Sequence, residues 1–546
     1  MALFRAPPFV ALSYCWGDLA DTICITVNDL EVLVTVNLHA ALRQLRAVGV
    51  KFVWVDALCI NQQDREERSI QIRRMSVIYK KAKQVTVWLG DEQDIEEDDI
   101  ISLSVEGART AHHAVSVSAR RAIMQLLSRP YWTRVWIIQE LAAASSIIIL
   151  CGRHMIPWDI FPKDSPPKSV AVANEISNDM LETGFRKLRE FRTDKLARKP
   201  ISLLDALYRS QSTLSTDPKD KLYALLGLVF DGDSFIPEPN YNLSTEEIYT
   251  DFSLALIENG LPLDFIYLRT SNRGVYDSLP SWVVDWSDLN DDLARQEFEH
   301  ILKSVLPEFS RPHFDQQNQA RTTENTLVVR GSILGTIDGL SSTFSIDRPD
   351  FVAHVVFTPE KGPAPMQPNF DCSSYIFDAL LERRRLSAAG VELPLSSIRL
   401  WSSVTERELR NLFDKDFSPA VLERLLDWFN DNRSLAAFGS TMEYWDGTWT
   451  SQPSDKDWSP SQTIYLRSLL TTIISGMRIA ILETGELGWV HPQGRKGDKI
   501  AKIFGCDRHV VLRLHLGGYR MIGEARPYWL ASKLELLDKI ESLTIF

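Results

Sequence analysis

Short apolar runs alternate with amphipathic helices in the N-terminal quarter of this chain, and that alternation limits its folds more than any other feature. Phe9-Val-Ala-Leu-Ser-Tyr14, Phe52-Val-Trp-Val-Asp-Ala57, Gln84-Val-Thr-Val-Trp-Leu89 and Ser146-Ile-Ile-Ile-Leu150 each read as a strand buried on both faces. Leu38, Ala41, Leu42 and Leu45 share one helical face between the first two runs. Ile72, Met75, Tyr79 and Ala82 do so between the second and third. This order predicts a doubly wound α/β sheet. Thr22–Val27 and Glu31–Val36 alternate around Asn28-Asp29, which predicts a hairpin. Asn37 is the expected cap of the first helix. Asp64 is expected to cap the second, with Glu67 reaching back to it.

Beyond this block, Phe161–Val170 reads as a boundary. Helices are expected from Asn174 to Asn259, among them Leu203–Tyr208, Lys221–Leu228 and a helix opened by the capping box Ser244-Thr-Glu-Glu247. Leu279–Trp286 reads as an aromatic loop or short strand, with Trp282 and Trp286 as core residues. Thr326–Gly339 reads as strand and Leu380–Asn432 as mainly helical. Asp498–Phe504, Val510–Leu516 and Tyr519–Glu524 read as a closing antiparallel sheet. Three regions follow: an α/β domain at 1–160, a mainly helical region at 174–290, and a mixed, β-rich region at 291–546.

Totals remove several classes of function. Of 546 residues 45% are hydrophobic and 15 are Trp, enough for a large core and too many for disorder. The net charge of −12 comes with no basic stripe, which argues against a nucleic-acid partner. Six scattered cysteines show no zinc spacing, and His112-His113 stands alone, so no metal is expected. Ile464–Leu482 carries Arg467 and Arg478, and is expected as a buried amphipathic helix rather than a membrane span. Without a signal-peptide pattern, the cytoplasm is the default location.

Ligands of open α/β sheets bind at the carboxyl ends of strands. That rule selects Tyr14-Cys-Trp16-Gly17-Asp18 and the stretch from Asp56 to Gln62, which includes Asn61. It also selects the helix expected from about Tyr131. There Trp132, Trp136 and Glu140 have i, i+4, i+8 spacing and would share one face. A carboxylate packed against indoles is desolvated, so its pKa rises. It suits sugar hydroxyls or a developing cation, as in N-glycosidic cleavage. The alternative is a helix glutamate paired with Arg134 or with solvent, and spacing leaves both open.

These segments resemble a known family. "ALSYCWGD", "VWVDALCINQQDREERSIQIRRMSVIYKKAKQVTVWLG" and "RPYWTRVWIIQEL" are similar to three signature blocks of the fungal heterokaryon incompatibility (HET) domain. The resemblance implies a protein of fungal self/non-self recognition and programmed cell death, an innate-immune type of effector. HET domains are in turn distantly similar to TIR domains, which implies a TIR-like, flavodoxin-like fold. "WIIQEL" stands where many TIR domains carry Trp-Cys-x-x-Glu-Leu, with Ile137 in place of the Cys. That likeness implies Glu140 as the catalytic residue of NAD⁺ hydrolysis. It implies Tyr14, Trp16, Gly17, Asp56, Asn61, Gln62, Arg134 and Trp136 as ligand-binding residues. NAD⁺ would be substrate rather than cofactor. The other function it implies is a non-enzymatic signalling module that associates with itself or captures an incompatibility partner.

Overall fold

Side-chain alternation and turn chemistry account for the first sheet. The computed structural model describes residues 6–92, 95–103, 117–161, 175–268, 278–287, 320–323, 325–344, 419–437, 440–443, 468–470, 472–506, 508–528 and 540–546, with residues 289, 376, 379 and 380. The chain divides into two compact units, residues 1–259 with 286–290, and residues 260–285 with 291–546. The first unit contains both the α/β sheet and the helices that follow it.

In the first unit β1 (Val10–Tyr14) is flanked by β4 (Val53–Trp54) and β5 (Gln84–Trp88). Then come β6 (Ile147–Cys151) and β7 (His154–Pro157), in the order β4-β1-β5-β6-β7. All neighbours are parallel except β7, which turns back on β6. The hairpin β2 (Thr22–Val27) and β3 (Leu30–Thr35) forms its own two-stranded ribbon. Its turn residues Asn28 and Asp29 have φ of 50° and 65°. Both are therefore left-handed, as a two-residue hairpin turn requires.

Helices cover both faces of the sheet. Leu12, Tyr14, Trp88 and Leu150 pack with Leu38, Ala41 and Leu45 of α1 (Val36–Ala47). Ser13 alternates to the opposite face. There α2 (Arg65–Lys81) packs with a short helix, α5 (Ile137–Ala143), which follows α3 (Glu97–Leu103) and α4 (Val117–Leu127). The long helix α6 (Glu175–Leu196) lies on α5, and Arg192 donates to the carbonyls of Leu141 and Ala144 at its C-terminal end. Next come α7 (Leu203–Ser210) and α8 (Thr245–Glu258), and α8 carries the expected Ser244/Glu247 capping box.

Local signals were partly overruled. Thr35 rather than Asn37 caps α1, accepting from Leu38 N, and the Asn37 amide instead donates to Cys15 O. Asp64 caps α2 as expected, but Glu67 reaches the backbone of Asn61 at 3.4 Å rather than that of Asp64. The acidic stretch Asp91–Asp99 reads as a solvated loop, but its end is helical over Glu97–Leu103. Within the expected Ile464–Leu482 helix, Arg478–Leu482 is instead a fully buried strand.

That strand belongs to the second unit, where Thr326–Leu340 pairs with both Lys499–Ile503 and Arg478–Leu482. The ring continues through Leu487–Val490, Gly518–Tyr528 and His509–His515, so six antiparallel strands close on themselves. Closure removes unpaired edges. Ile337, Leu340, Leu482, Val490, Ile500, Val511 and Ile522 pack together as an apolar core of this sheet. Pro419–Asp431 is helical as expected, and the rest of Leu380–Asn432 lies almost wholly outside the described residues, as do His112-His113 and most of Phe161–Val170. Trp282 and Trp286 are fully buried. No helix among the described residues is long and apolar enough to cross a membrane.

Candidate functional site

The stretch that carries Glu140 is not one helix. Pro130–Thr133 forms a 3-10 turn, Arg134 is extended at φ −73° and ψ 133°, and α5 starts only after Trp136. Leu214 causes the break by hydrogen bonding on either side of Arg134, to Thr133 O and Val135 N. Trp132, Trp136 and Glu140 therefore do not share a face. The Trp132 indole donates to Leu126 O at 2.7 Å and packs against Phe185 at 5.1 Å. The Trp136 indole donates to Asp220 Oδ2 at 3.0 Å. The expected indole-lined acid is corrected by this geometry: hydroxyl groups and a guanidinium surround Glu140 instead.

Glu140 is 2% exposed. Ser13 Oγ donates to its Oε2 and is itself hydrogen bonded to the Tyr131 hydroxyl. The Tyr79 hydroxyl donates to Leu12 O at 3.0 Å and lies close enough to the Glu140 carboxylate to pull its pKa down slightly. Burial pushes Glu140 up to about 7, against the opposing pull of Arg134 and Ser13. Ser13, Tyr79 and Tyr131 were missed in the sequence. The readable signal was the alternation of β1, which turns Ser13 away from Leu12 and Tyr14 and toward α5.

Arg134 links Glu140 to a second, half-buried layer. Its guanidinium donates to Tyr14 O. Burial alone would lower its pKa, but the fields of Glu140, Cys15 and Asp56 raise it. Asp56 opens a single helical turn after β4 and accepts from the Trp16 indole at 2.9 Å and from Ala57 N at 2.8 Å. Burial and then the Asp56 charge push the Tyr14 hydroxyl pKa up. Burial raises the Asp56 carboxyl, while Arg134 and these donors oppose the shift. Tyr14, Trp16, Asp56, Arg134 and Glu140 are thus brought into one network.

Other expected site residues stand apart from it. Gln62 donates to Asp56 O at 3.1 Å, and exposed Asn61 accepts from Gln63 N at 3.2 Å, so both shape the loop. Gly17 has φ of +78°, and a Cβ there would meet Asn37 at 3.3 Å, so this turn requires glycine. A cavity of about 250 Å³ lies at the same carboxyl edge, lined by Asp18, Asp21, Asn37, Trp88 and Asp91; Glu140 does not line it. Among the described residues no group of three or more His, Cys, Asp or Glu could hold a metal ion.

Fold and site together define a parallel α/β domain with a buried acid and a half-buried guanidinium at the carboxyl edge of its sheet. Residues 9–140 match the family model described as Heterokaryon incompatibility protein (HET), so the match covers the α/β part of the first unit. It is 25% identical over 427 residues to heterokaryon incompatibility protein 6, OR allele, of Neurospora crassa. The match takes in 62% of this chain and 61% of that relative, so the chain spans about three fifths of the relative's length. No solved structure matches the chain significantly.

Proposed function

We propose that this chain acts in heterokaryon incompatibility and that its N-terminal unit does so by hydrolysing NAD⁺ at the nicotinamide–ribose bond. The HET family match and the name of the Neurospora crassa relative support the first part. For the second, the parallel strands numbered by appearance run 2-1-3-4 across the sheet, the order of a flavodoxin-like or TIR-like fold. The observation that carries the enzymatic reading is the Glu140 carboxylate. It is buried at the carboxyl edge of that sheet with Arg134 and Asp56 beside it, and its pKa is pushed up to about 7.

In this reaction the C1′–N bond breaks and its electron pair leaves with nicotinamide. Water adds to C1′, and ADP-ribose, nicotinamide and a proton are released. Ionised Glu140 opposes the ribosyl cation, where one aligned group contributes roughly 3–4 kcal/mol. Arg134 offers donors to phosphate oxygens. Asp56 offers an acceptor to ribose hydroxyls, and Tyr14 and Trp16 offer ring faces to nicotinamide. Trp136 is committed to Asp220 and takes no part in that pocket. Substrate enters from the half-buried side, where Cys15, Trp16, Asp56 and Arg134 form the outer layer and must part to admit the ribose.

The 2% exposure of Glu140 favours a second reading, a signalling module that acts by self-association or partner capture. Nicotinamide release by the full chain and by Glu140→Gln separates the two. Turnover by the wild type that falls about a hundredfold or more in the variant supports the enzyme. Equal turnover removes Glu140 from the chemistry. No turnover across a wide range of chain concentration leaves the signalling module.

A further inference from the structure

We infer that the segment 211–221, which lies beyond the HET family match, is a built part of the Arg134–Glu140 centre, and that Asp220 and Lys221 are positioning residues for the Arg134 guanidinium. The inference rests on the enzymatic reading only for its kinetic readout.

The backbone on both sides of Arg134 is held from this segment. Thr133 O accepts from Leu214 N, Val135 N donates to Leu214 O at 2.9 Å, and Arg134 and Leu214 form a parallel bridge. Leu214 is exposed and weakly held by its own side chain. Its chain is fixed instead by Lys221, whose Nζ donates to Thr213 O and, at 3.3 Å, to Gln211 O. One residue earlier, Asp220 takes the Trp136 indole at 3.0 Å, two positions beyond Arg134. Its other oxygen accepts from Tyr241 Oη. Arg68 of α2 lies 3.9 Å from Asp220 and 3.7 Å from the centre of the Tyr241 ring. The contacts run from α2, through Tyr241 and Asp220, to the residues flanking Arg134.

Asp220 and Lys221 are 6% and 5% exposed. Burying two charges costs several kcal/mol, and apolar residues of the same volume would often stabilise a fold at least as well. Here Asp220 holds Trp136, and Lys221 holds the Gln211–Thr213 chain that leads into the Leu214 pairing beside Arg134, which identifies what the cost secures. Arg134 in turn donates to Tyr14 O, and its charge pulls down the pKa of both Glu140 and Asp56. A shift of residues 133–136 therefore moves the cation away from both carboxylates. Burial raises the Asp220 pKa to about 6, against the pull of its Tyr241 and Trp136 donors and of Arg68.

The test uses the full chain as wild type, Trp136→Phe, Asp220→Asn, the double variant, and Ser244→Ala. The last loses the α8 cap, whose own hydrogen bonds run between Ser244 and Glu247, and controls for lost stability. Protonation of Glu140 is followed by infrared difference against Glu140→Gln with no nucleotide present, and nicotinamide release is followed over the same pH range. Trp136→Phe and Asp220→Asn are expected to raise the Glu140 midpoint by about half a unit to one unit. They are expected to lower the rate about three- to tenfold. The double variant should do no more than either single change. Ser244→Ala should lower the melting temperature and leave the midpoint in place. An unmoved midpoint in folded Trp136→Phe overturns the inference, as does full additivity in the double variant. A wild type that releases no nicotinamide overturns the enzymatic reading alone, because the infrared midpoints still decide the positioning role.

Discussion

Glu140 and Asp220 are both buried carboxylates of the first unit, and their surroundings divide the labour between them. Asp220 has each oxygen committed to a neutral donor, the Trp136 indole on one side and the Tyr241 hydroxyl on the other. Glu140 lies at the carboxyl edge of the sheet, beneath a half-buried layer that contains a cation, Arg134, and a second acid, Asp56. Burial raises both, to about 6 for Asp220 and about 7 for Glu140. A raised pKa therefore does not separate a reacting acid from a scaffolding one. What separates them is the donor set: both Asp220 oxygens are taken, by Trp136 and Tyr241, with Arg68 3.9 Å away, while Ser13 takes Oε2 of Glu140 at the carboxyl edge of the sheet.

The largest effect that could break this comparison is catalytic. Glu140→Gln keeps the volume and removes the charge, so the proposed NAD⁺ turnover should fall about 10²- to 10³-fold. Asp220→Asn should cost no more than about tenfold. Rates of nicotinamide release from the two variants check this, and a larger loss at Asp220 would reverse the assignment of roles.

The next effect is on stability and its pH dependence. The folded pKa of Glu140 is about 7 against an ordinary 4.5. The folded chain therefore holds this proton more tightly than the unfolded chain does. Stability from this group is fully present below the unfolded value and is lost as pH rises through about 7. Glu140→Gln carries no such loss, so its stability relative to wild type should grow between those two values, by an amount on the order of 3 kcal/mol. Denaturant melts at acid and alkaline pH measure it. A constant offset would mean that Glu140 does not titrate as a buried acid.

How far the two acids could be told apart in the sequence depends on where their partners lie. Strand alternation, the Asn28-Asp29 turn, the Asp64 cap and the Ser244 capping box are set within a few residues, and they were legible. Glu140 was legible as a candidate because its place after a parallel strand follows from the element order. Its surroundings were not. The helical spacing of Trp132, Trp136 and Glu140 fails because Leu214, distant in the chain, pairs with the backbone around Arg134 and holds it extended. The same tertiary pairing turns Trp136 to Asp220. Arg478–Leu482 reads as helix by composition and becomes strand because Thr326–Leu340 and Leu487–Val490 supply partners on both sides. Propensity is a weak prior wherever a long-range ladder competes with it.

The smallest effect compares one donor at each acid. Ser13→Ala removes the hydroxyl that donates to Glu140, and Tyr241→Phe removes the one that donates to Asp220. Each should cost about 1–2 kcal/mol of stability, the usual penalty for leaving a buried acceptor short of a donor. Their functional signatures should differ. Ser13 pulls the Glu140 pKa down, so Ser13→Ala should move the acid limb of NAD⁺ turnover to higher pH, by up to about one unit. Tyr241→Phe leaves the Asp220–Trp136 bond in place and should leave that limb where it is. Paired pH–rate profiles measure both. If Tyr241→Phe shifts the limb as far as Ser13→Ala does, the two acids titrate as one coupled system and the division between reacting and scaffolding carboxylates does not hold.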